Sequence, residues 1–194
     1  MSSSSGVTAS RATSRSLLER VRANDMAAWD RLVEVYAPLV YACCERARLG
    51  AEDSADVFQE VFQAAFAKIA SFEKTRPGDT FRGWLLAITR NKLLDHFRSR
   101  KRQPRGVGGT EIQLRMAEVQ AADALDEVAE DRLFAAALEL IRHQFHEHTW
   151  RAFLGTVVDG RSPADVGEEL GMSPGAVRVA KSRVLQRLRA ELGD

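Results

Sequence analysis

The chemistry this sequence offers lies in two clusters of cations and one of carboxylates and amides. Arg98, Arg100, Lys101, Arg102 and Arg105 fall within eight residues, and Arg178, Lys181, Arg183, Arg187 and Arg189 follow near the C-terminus. Cations at that density attract a polyanion, and an arginine fork also fits a guanine edge in a DNA groove. Glu118, Asp123, Asp126, Glu127, Glu130 and Asp131 gather the acid between them, so a net charge of +1 conceals two basic surfaces joined by an acidic connector. The third group, Asp56, Gln59, Glu60 and Gln63, recurs at helical spacing; it reads as a solvated face or as a docking face for a partner.

Candidates for catalysis are few. The sequence has no glycine-rich phosphate loop and no Ser, His and Asp set at a recognisable motif. His143, His146 and His148 lack the paired ligands of a zinc site, and Asp56 with Glu60 would need further ligands to hold a divalent cation. The expectation is therefore no catalytic residue, no metal and no cofactor. Cys43 and Cys44 are adjacent in an apolar helical pattern, where they read as buried reduced thiols. With 45% hydrophobic and 28% charged residues the chain reads as soluble. It has no long apolar run, and the polar start MSSSSGVTAS lacks the core of a signal peptide, so no membrane insertion and a cytoplasmic location are expected.

The elements that must position these groups are helical throughout. Ser162-Pro163 and Ser173-Pro174 each place a hydroxyl acceptor at an N-cap and a fixed-φ ring at the first helical position, with Gly171 between them free to take positive φ. That pattern predicts a helix-turn-helix whose second helix buries Val177, Val184, Leu188 and Leu192 and turns Arg178, Lys181, Ser182 and Arg183 outward. Earlier, a short helix over 16–23 is broken by Asn24 and Asp25. The next carries Trp29, Leu32, Val33, Tyr36, Leu39, Val40, Cys43 and Ala47 on one stripe, with a kink expected at Pro38. A third helix opens near Asp53 with Phe58, Val61, Phe62, Phe66 and Ile69 inward. A fourth, capped by Asp79 or Thr80, runs to about Lys101. Pro104, Gly106, Gly108 and Gly109 then mark a linker. The resulting fold class is all-α: two small helical domains joined by a flexible linker, the C-terminal one a helix-turn-helix. The boundaries are a disordered tail over 1–15, a first domain over 16–102, a linker over 103–131 and a second domain over 132–194.

Taken in order, four stretches resemble a bacterial RNA polymerase sigma factor of the extracytoplasmic-function group within the sigma-70 family. LLERVRANDMAAWDRLVEVYAPLVY is similar to the start of the family's region two, DSADVFQEVFQAAF to its core-binding helix, FRGWLLAITRNKLLDHFRSRKR to its promoter-melting helix, and the C-terminal WRAFLGTVVDGRSPADVGEELGMSPGAVRVAKSRVLQRLR to region four. The resemblance implies a factor that binds core RNA polymerase and directs promoter recognition and opening. It assigns core binding to Asp56, Gln59 and Glu60. Minus-ten DNA falls to Phe72, with the loop to Thr80, and to Asn91, Arg98, Arg100 and Lys101; Trp84 packs beside that pocket. Minus-thirty-five DNA falls to Arg178, Lys181, Ser182 and Arg183, although Val179, Ala180 and Lys181 depart from the family's commoner arginine and serine pattern. Its implied partners are core polymerase and promoter DNA, and restraint by an anti-sigma factor is usual in the group. The rival reading is a polymerase-independent helix-turn-helix regulator whose N-terminal helices sense a ligand or dimerise.

Overall fold

The computed structural model describes residues 16–73, 75, 79–102, 109–121 and 127–192. The described residues are α-helices, turns and one short 3-10 helix, and none of their helices is long and apolar enough to cross a membrane. The expected tail over 1–15, Pro77, Gly78, Arg105 and the glycines at 106 and 108 lie outside the described residues.

Local chemistry sets the first two helices. α1 (Leu17–Arg22) begins with a capping box in which Ser16 Oγ accepts from the Glu19 amide at 3.3 Å and Glu19 Oε2 accepts from the Ser16 amide at 3.0 Å. Asn24 takes φ 60°, turning the chain so that Asp25 caps α2 (Met26–Arg46) by accepting from the Ala28 amide at 3.1 Å. α2 runs on through Pro38 as one helix and buries Leu32, Val35, Tyr36, Leu39 and Val40. Cys43 and Cys44 are free thiols, and burial pushes the Cys44 thiol up to about 12, which keeps it protonated.

α3 (Ala51–Lys68), with Gly50 at its N-cap, starts two residues before the expected opening and continues into the 3-10 turn Ile69–Ser71. Its buried stripe is Val57, Val61, Phe62 and Ala65, whereas Phe66 is exposed with its ring edge-on to Trp29 at 4.9 Å. α4 (Phe81–Arg102) is capped by Thr80, whose Oγ1 accepts from the Gly83 amide at 3.1 Å; Asp79 instead holds the preceding loop by accepting from the Thr75 amide at 3.0 Å.

The segment 103–131 departs from the expected irregular linker. It contains α5 (Gly109–Ala121), which packs on α4, and the start of α6 (Glu127–Arg142), which packs on α2. Val119 enters the main core, and Arg115 Nη1 donates to the Arg48 carbonyl at 3.3 Å. Of the residues that mark the expected linker, Pro104, Gly106 and Gly108 stand before this helix and Gly109 opens it.

α7 (Glu147–Val157), α8 (Pro163–Leu170) and α9 (Pro174–Leu192) complete the chain. One hydrophobic core runs from Leu17 and Leu18 through α2, α3, α4 and α6 to Phe153, Val184 and Leu188, so the two halves share it. A separate small core of Ala152, Val166, Val177 and Ala180 lies inside the last three helices. Polar groups close the seam between the halves. Arg31 Nε meets Glu191 Oε2 at 2.7 Å, Arg31 Nη2 donates to the Leu140 carbonyl at 2.8 Å, and the Tyr36 hydroxyl donates to the Leu192 carbonyl at 2.7 Å.

Candidate functional site

The turn between α8 and α9 is built as its serines require. Ser162 Oγ accepts from the Asp165 amide at 3.2 Å and Ser173 Oγ from the Ala176 amide at 3.1 Å, while Gly171 takes φ 64° between the two helices. A second glycine matters as much. A Cβ at Gly167 would stand 2.6 Å from the Met172 carbonyl oxygen, so only glycine lets the turn fold back onto α8. The polar side of α8 is clasped by Glu169, which accepts from Arg151 of α7 at 2.6 Å and from Arg161 of the connecting turn at 2.5 Å. The Arg161 bond is the main reason that the Glu169 carboxyl sits below its usual range.

With Val177, Ala180, Val184 and Leu188 buried, α9 presents Arg178, Ser182 and Arg183 exposed and Lys181 half-buried. These four share the first turns of the second helix, the part that enters a major groove in helix-turn-helix proteins. Arg187 belongs elsewhere. Its Nε donates to Gln144 Oε1 at 2.6 Å and its Nη2 to Glu191, which places it in the seam between the halves.

A cleft of about 390 Å³ opens between the loop after α3 and the start of α4, lined by Ser71, Phe72, Glu73, Asp79, Thr80, Gly83 and Trp84. Phe72 forms its floor. It is 5% exposed, packed against Phe81 at 5.8 Å and Trp84 at 5.1 Å, with the Arg22 guanidinium over its ring at 5.6 Å. Trp84 is the more open aromatic of the cleft, and Asn91 lies exposed on the same side of α4 two turns on, roughly 10 Å along the axis.

The basic end of α4 is partly neutralised. Arg98 pairs with Asp95 at 2.9 Å and Arg100 reaches α3 to pair with Asp53 at 2.5 Å. The side chains of Lys101 and Arg102 lie outside the described residues. Asp56, Gln59 and Glu60 stand exposed on the polar face of α3 and, with Asp53, Gln63, His96, Ser99 and Arg100, line a groove of about 550 Å³ between α3 and α4. Glu60 also accepts from Lys92 Nζ at 3.1 Å. Nothing in the sequence signals that His96, Ser99 and Arg100 of α4 share a groove with α3, because they stand about 30 to 45 positions beyond its polar residues and join them only through the crossing of two helices. Among the described residues no group of His, Cys, Asp and Glu is arranged to hold a metal ion.

Comparison with known proteins locates this architecture. Residues 32–103, from within α2 to the end of α4, match the family model of sigma-70 region 2. BldN of Streptomyces coelicolor, an ECF RNA polymerase sigma factor, is 27% identical over 178 residues, which cover 92% of this chain and 65% of BldN. ShbA of Streptomyces griseus, another ECF RNA polymerase sigma factor, is 32% identical over 139 residues, 70% of this chain and 69% of ShbA. The chain thus spans slightly under two thirds of BldN. A solved structure of CnrH in complex with the cytosolic domain of CnrY aligns over 91% of this chain and 95% of that one, at 23% identity and a TM-score of 0.38. The chain belongs to the ECF group of sigma-70 family RNA polymerase sigma factors.

Proposed function

We propose that this chain binds core RNA polymerase through the α3 face of Asp56, Gln59 and Glu60 and directs promoter recognition and opening. α9 reads the minus-thirty-five element, with Arg178 and Arg183 on base edges and Ser182 and Lys181 on the flanking backbone; each bidentate arginine–guanine contact discriminates by about 1–3 kcal/mol. The cleft beside Trp84 takes an unpaired base of the minus-ten element, Phe72 backing the pocket and Asn91 meeting the strand farther along α4. Unstacking a base costs a few kcal/mol, which stacking on Trp84 and phosphate attraction to the basic end of α4 offset. The chemistry of RNA synthesis belongs to the polymerase, and no residue here is assigned a catalytic step.

The observation that carries this reading is the exposure of Arg178, Ser182 and Arg183 on the first turns of a doubly serine-capped helix-turn-helix, in a chain whose α2–α4 match sigma-70 region 2. Transcription with purified core polymerase, on a promoter taken from upstream of the protein's own gene, tests it. Specific initiation is expected with the native chain. It should fall with Gln59→Ala/Glu60→Ala, which leaves the helical circular dichroism unchanged because both side chains face solvent. DNA binding without any core association would instead support the polymerase-independent regulator.

A further inference from the structure

α9 turns an apolar side chain outward among its charges. Val179 is 50% exposed, whereas Val177 and Ala180 beside it are 0% and 4% exposed. Single apolar groups are ordinary on protein surfaces, and Val158, just past α7, is one of them. Val179 differs in where it stands. At about 100° per residue, the direction opposite the buried Val177, Ala180, Val184 and Leu188 falls between Ser182 and Val179, about 35° from the valine. Arg178 and Arg183 flank that direction, about 65° and 75° to its two sides. The valine thus occupies the middle of the proposed DNA face, and the two arginines its edges.

The turn before it carries little bulk. Pro174, Gly175 and Ala176 are exposed, and the nearest atom to a Cβ added at Gly175 is Ser173 Oγ at 3.9 Å. A helical side chain leans toward the N-terminus and covers the turn before its own Cα, which sets the Val179 isopropyl group over the space that Gly175 leaves open. A groove floor approaching the first turns of α9 therefore meets Val179. β-branching fixes χ1 in a helix, so the two methyl groups are held without the rotamer entropy that a long side chain loses. Chemistry then selects the base. Valine neither donates nor accepts a hydrogen bond, so pressing it on guanine N7 and O6, adenine N7 and N6 or cytosine N4 leaves a desolvated polar edge unpaired. Thymine alone among the four bases presents an apolar group in the major groove, its C5-methyl.

We infer that Val179 is a specificity-determining residue for the upstream element, seating the C5-methyl group of a thymine that lies between the base edges assigned to Arg178 and Arg183. This role rests on α9 being the minus-thirty-five reader. 5-Methylcytosine carries the same methyl group in the same groove and is seated in the same way, so the contact is with the methyl group and not with the rest of the base.

The test is equilibrium binding of reconstituted holoenzyme, and of the full chain alone, to promoter duplexes in which each upstream-element thymine in turn is replaced by deoxyuridine, which removes only the methyl group. At one thymine, placed between the positions whose preference depends on Arg178 and Arg183, the deoxyuridine duplex should bind about fourfold more weakly, the change that burial of one methyl-sized group corresponds to. At that position 5-methylcytosine should bind about fourfold more tightly than cytosine. Val179→Ala should bind the thymine and deoxyuridine duplexes equally while keeping its guanine preferences, with helical circular dichroism unchanged because alanine favours a helix. Specific initiation with no thymine whose methyl group matters, a sensitive thymine outside that interval, or a methyl effect undiminished in Val179→Ala would each overturn the role of Val179. A methyl effect that Val179→Ala abolishes, in a chain that never associates with core, would overturn the sigma-factor reading and leave Val179 a thymine reader. Sequence-independent binding by both holoenzyme and chain would overturn both.

Discussion

Arg100 Nη1 reaches across the groove between α4 and α3 to Asp53 Oδ2 at 2.5 Å, tying the basic end of the proposed melting helix to the proposed polymerase-docking helix. The pair is half exposed and contributes about 0–1 kcal/mol. What it decides is where the charge is spent.

Replacing Arg100 with alanine is therefore expected to leave the salt dependence of promoter binding unchanged, because its charge is already matched by Asp53 and faces the docking groove. A residue neutralising a phosphate would lower that slope by about one unit. Affinity for core should shift instead, since removal of the guanidinium frees Asp53 beside Asp56 and Glu60. Filter binding across a salt series, alongside a core pull-down, separates the two; a reduced slope would return Arg100 to the DNA face.

The proposed recognition helix, α9, divides at Ser182 and Arg183. Alanine at Arg178 or Arg183 should flatten the preference among upstream-element variants, each losing about 1–3 kcal/mol of discrimination. Arg187→Ala should leave both the preference and the salt slope alone, because its guanidinium is held by Gln144 and Glu191. Its expected effect is a lower thermal midpoint. Binding to a panel of single-base variants at two salt concentrations checks all three replacements.

Periodicity and capping residues made much of this architecture legible. Ser162 and Ser173 announce their helix starts because a side-chain oxygen next to a helical stripe acts locally, within three residues; Ser16 and Asp25 cap α1 and α2 in the same way, although the sequence showed Asp25 only as a break. The stripe of α2 likewise shows which side is buried. It does not show against what: Arg31 and Glu191 are 160 positions apart, and neither residue type suggests burial. Helix α5 was hidden by Gly106 and Gly108 before it and Gly109 at its start. Phe72 reads equally well as a base-stacking ring or a packed one, and only the placement of Phe81, Trp84 and Arg22 around it makes it the floor of the cleft. Gly167 carried no signal, since its requirement comes from the return path of Met172.

That return path gives a sharp comparison between glycines. Gly167→Ala forces a methyl to within 2.6 Å of a backbone carbonyl oxygen that cannot swing aside. It should cost about 1–3 kcal/mol and weaken DNA binding by spoiling the turn. At Gly175 the nearest atom to an added Cβ is Ser173 Oγ at 3.9 Å, so Gly175→Ala should stabilise by up to about 1 kcal/mol. Urea unfolding midpoints read both; similar effects at the two positions would contradict the close approach.

The cap of α2 predicts a pH dependence. The Ala28 amide, and then the Arg20 guanidinium, hold the Asp25 carboxyl below its ordinary value of 3.8. A lowered folded-state value means that the contribution is complete above the unfolded value and is lost as pH falls through the folded one. Asp25→Asn keeps a capping oxygen without the charge. The stability difference between native and Asp25→Asn should therefore hold near neutrality and vanish as pH drops below about 4. Chemical denaturation at a series of acidic pH values measures it, and a difference that grew toward acid would refute the assignment.

α9 is 19 residues long, roughly 28 Å, and belongs to two structures at once. Its first turns sit in the small core with Ala152 and Val166, while its last turn is gripped by Arg31 and Tyr36. A rigid rod anchored at both ends acts as a lever: a tilt of a few degrees at Glu191 displaces Arg178 by an ångström or more. On the proposed function, substitutions at Leu188 or Glu191, which lie away from the proposed DNA face, therefore gain a mechanical route to promoter choice without altering a single proposed base-reading side chain.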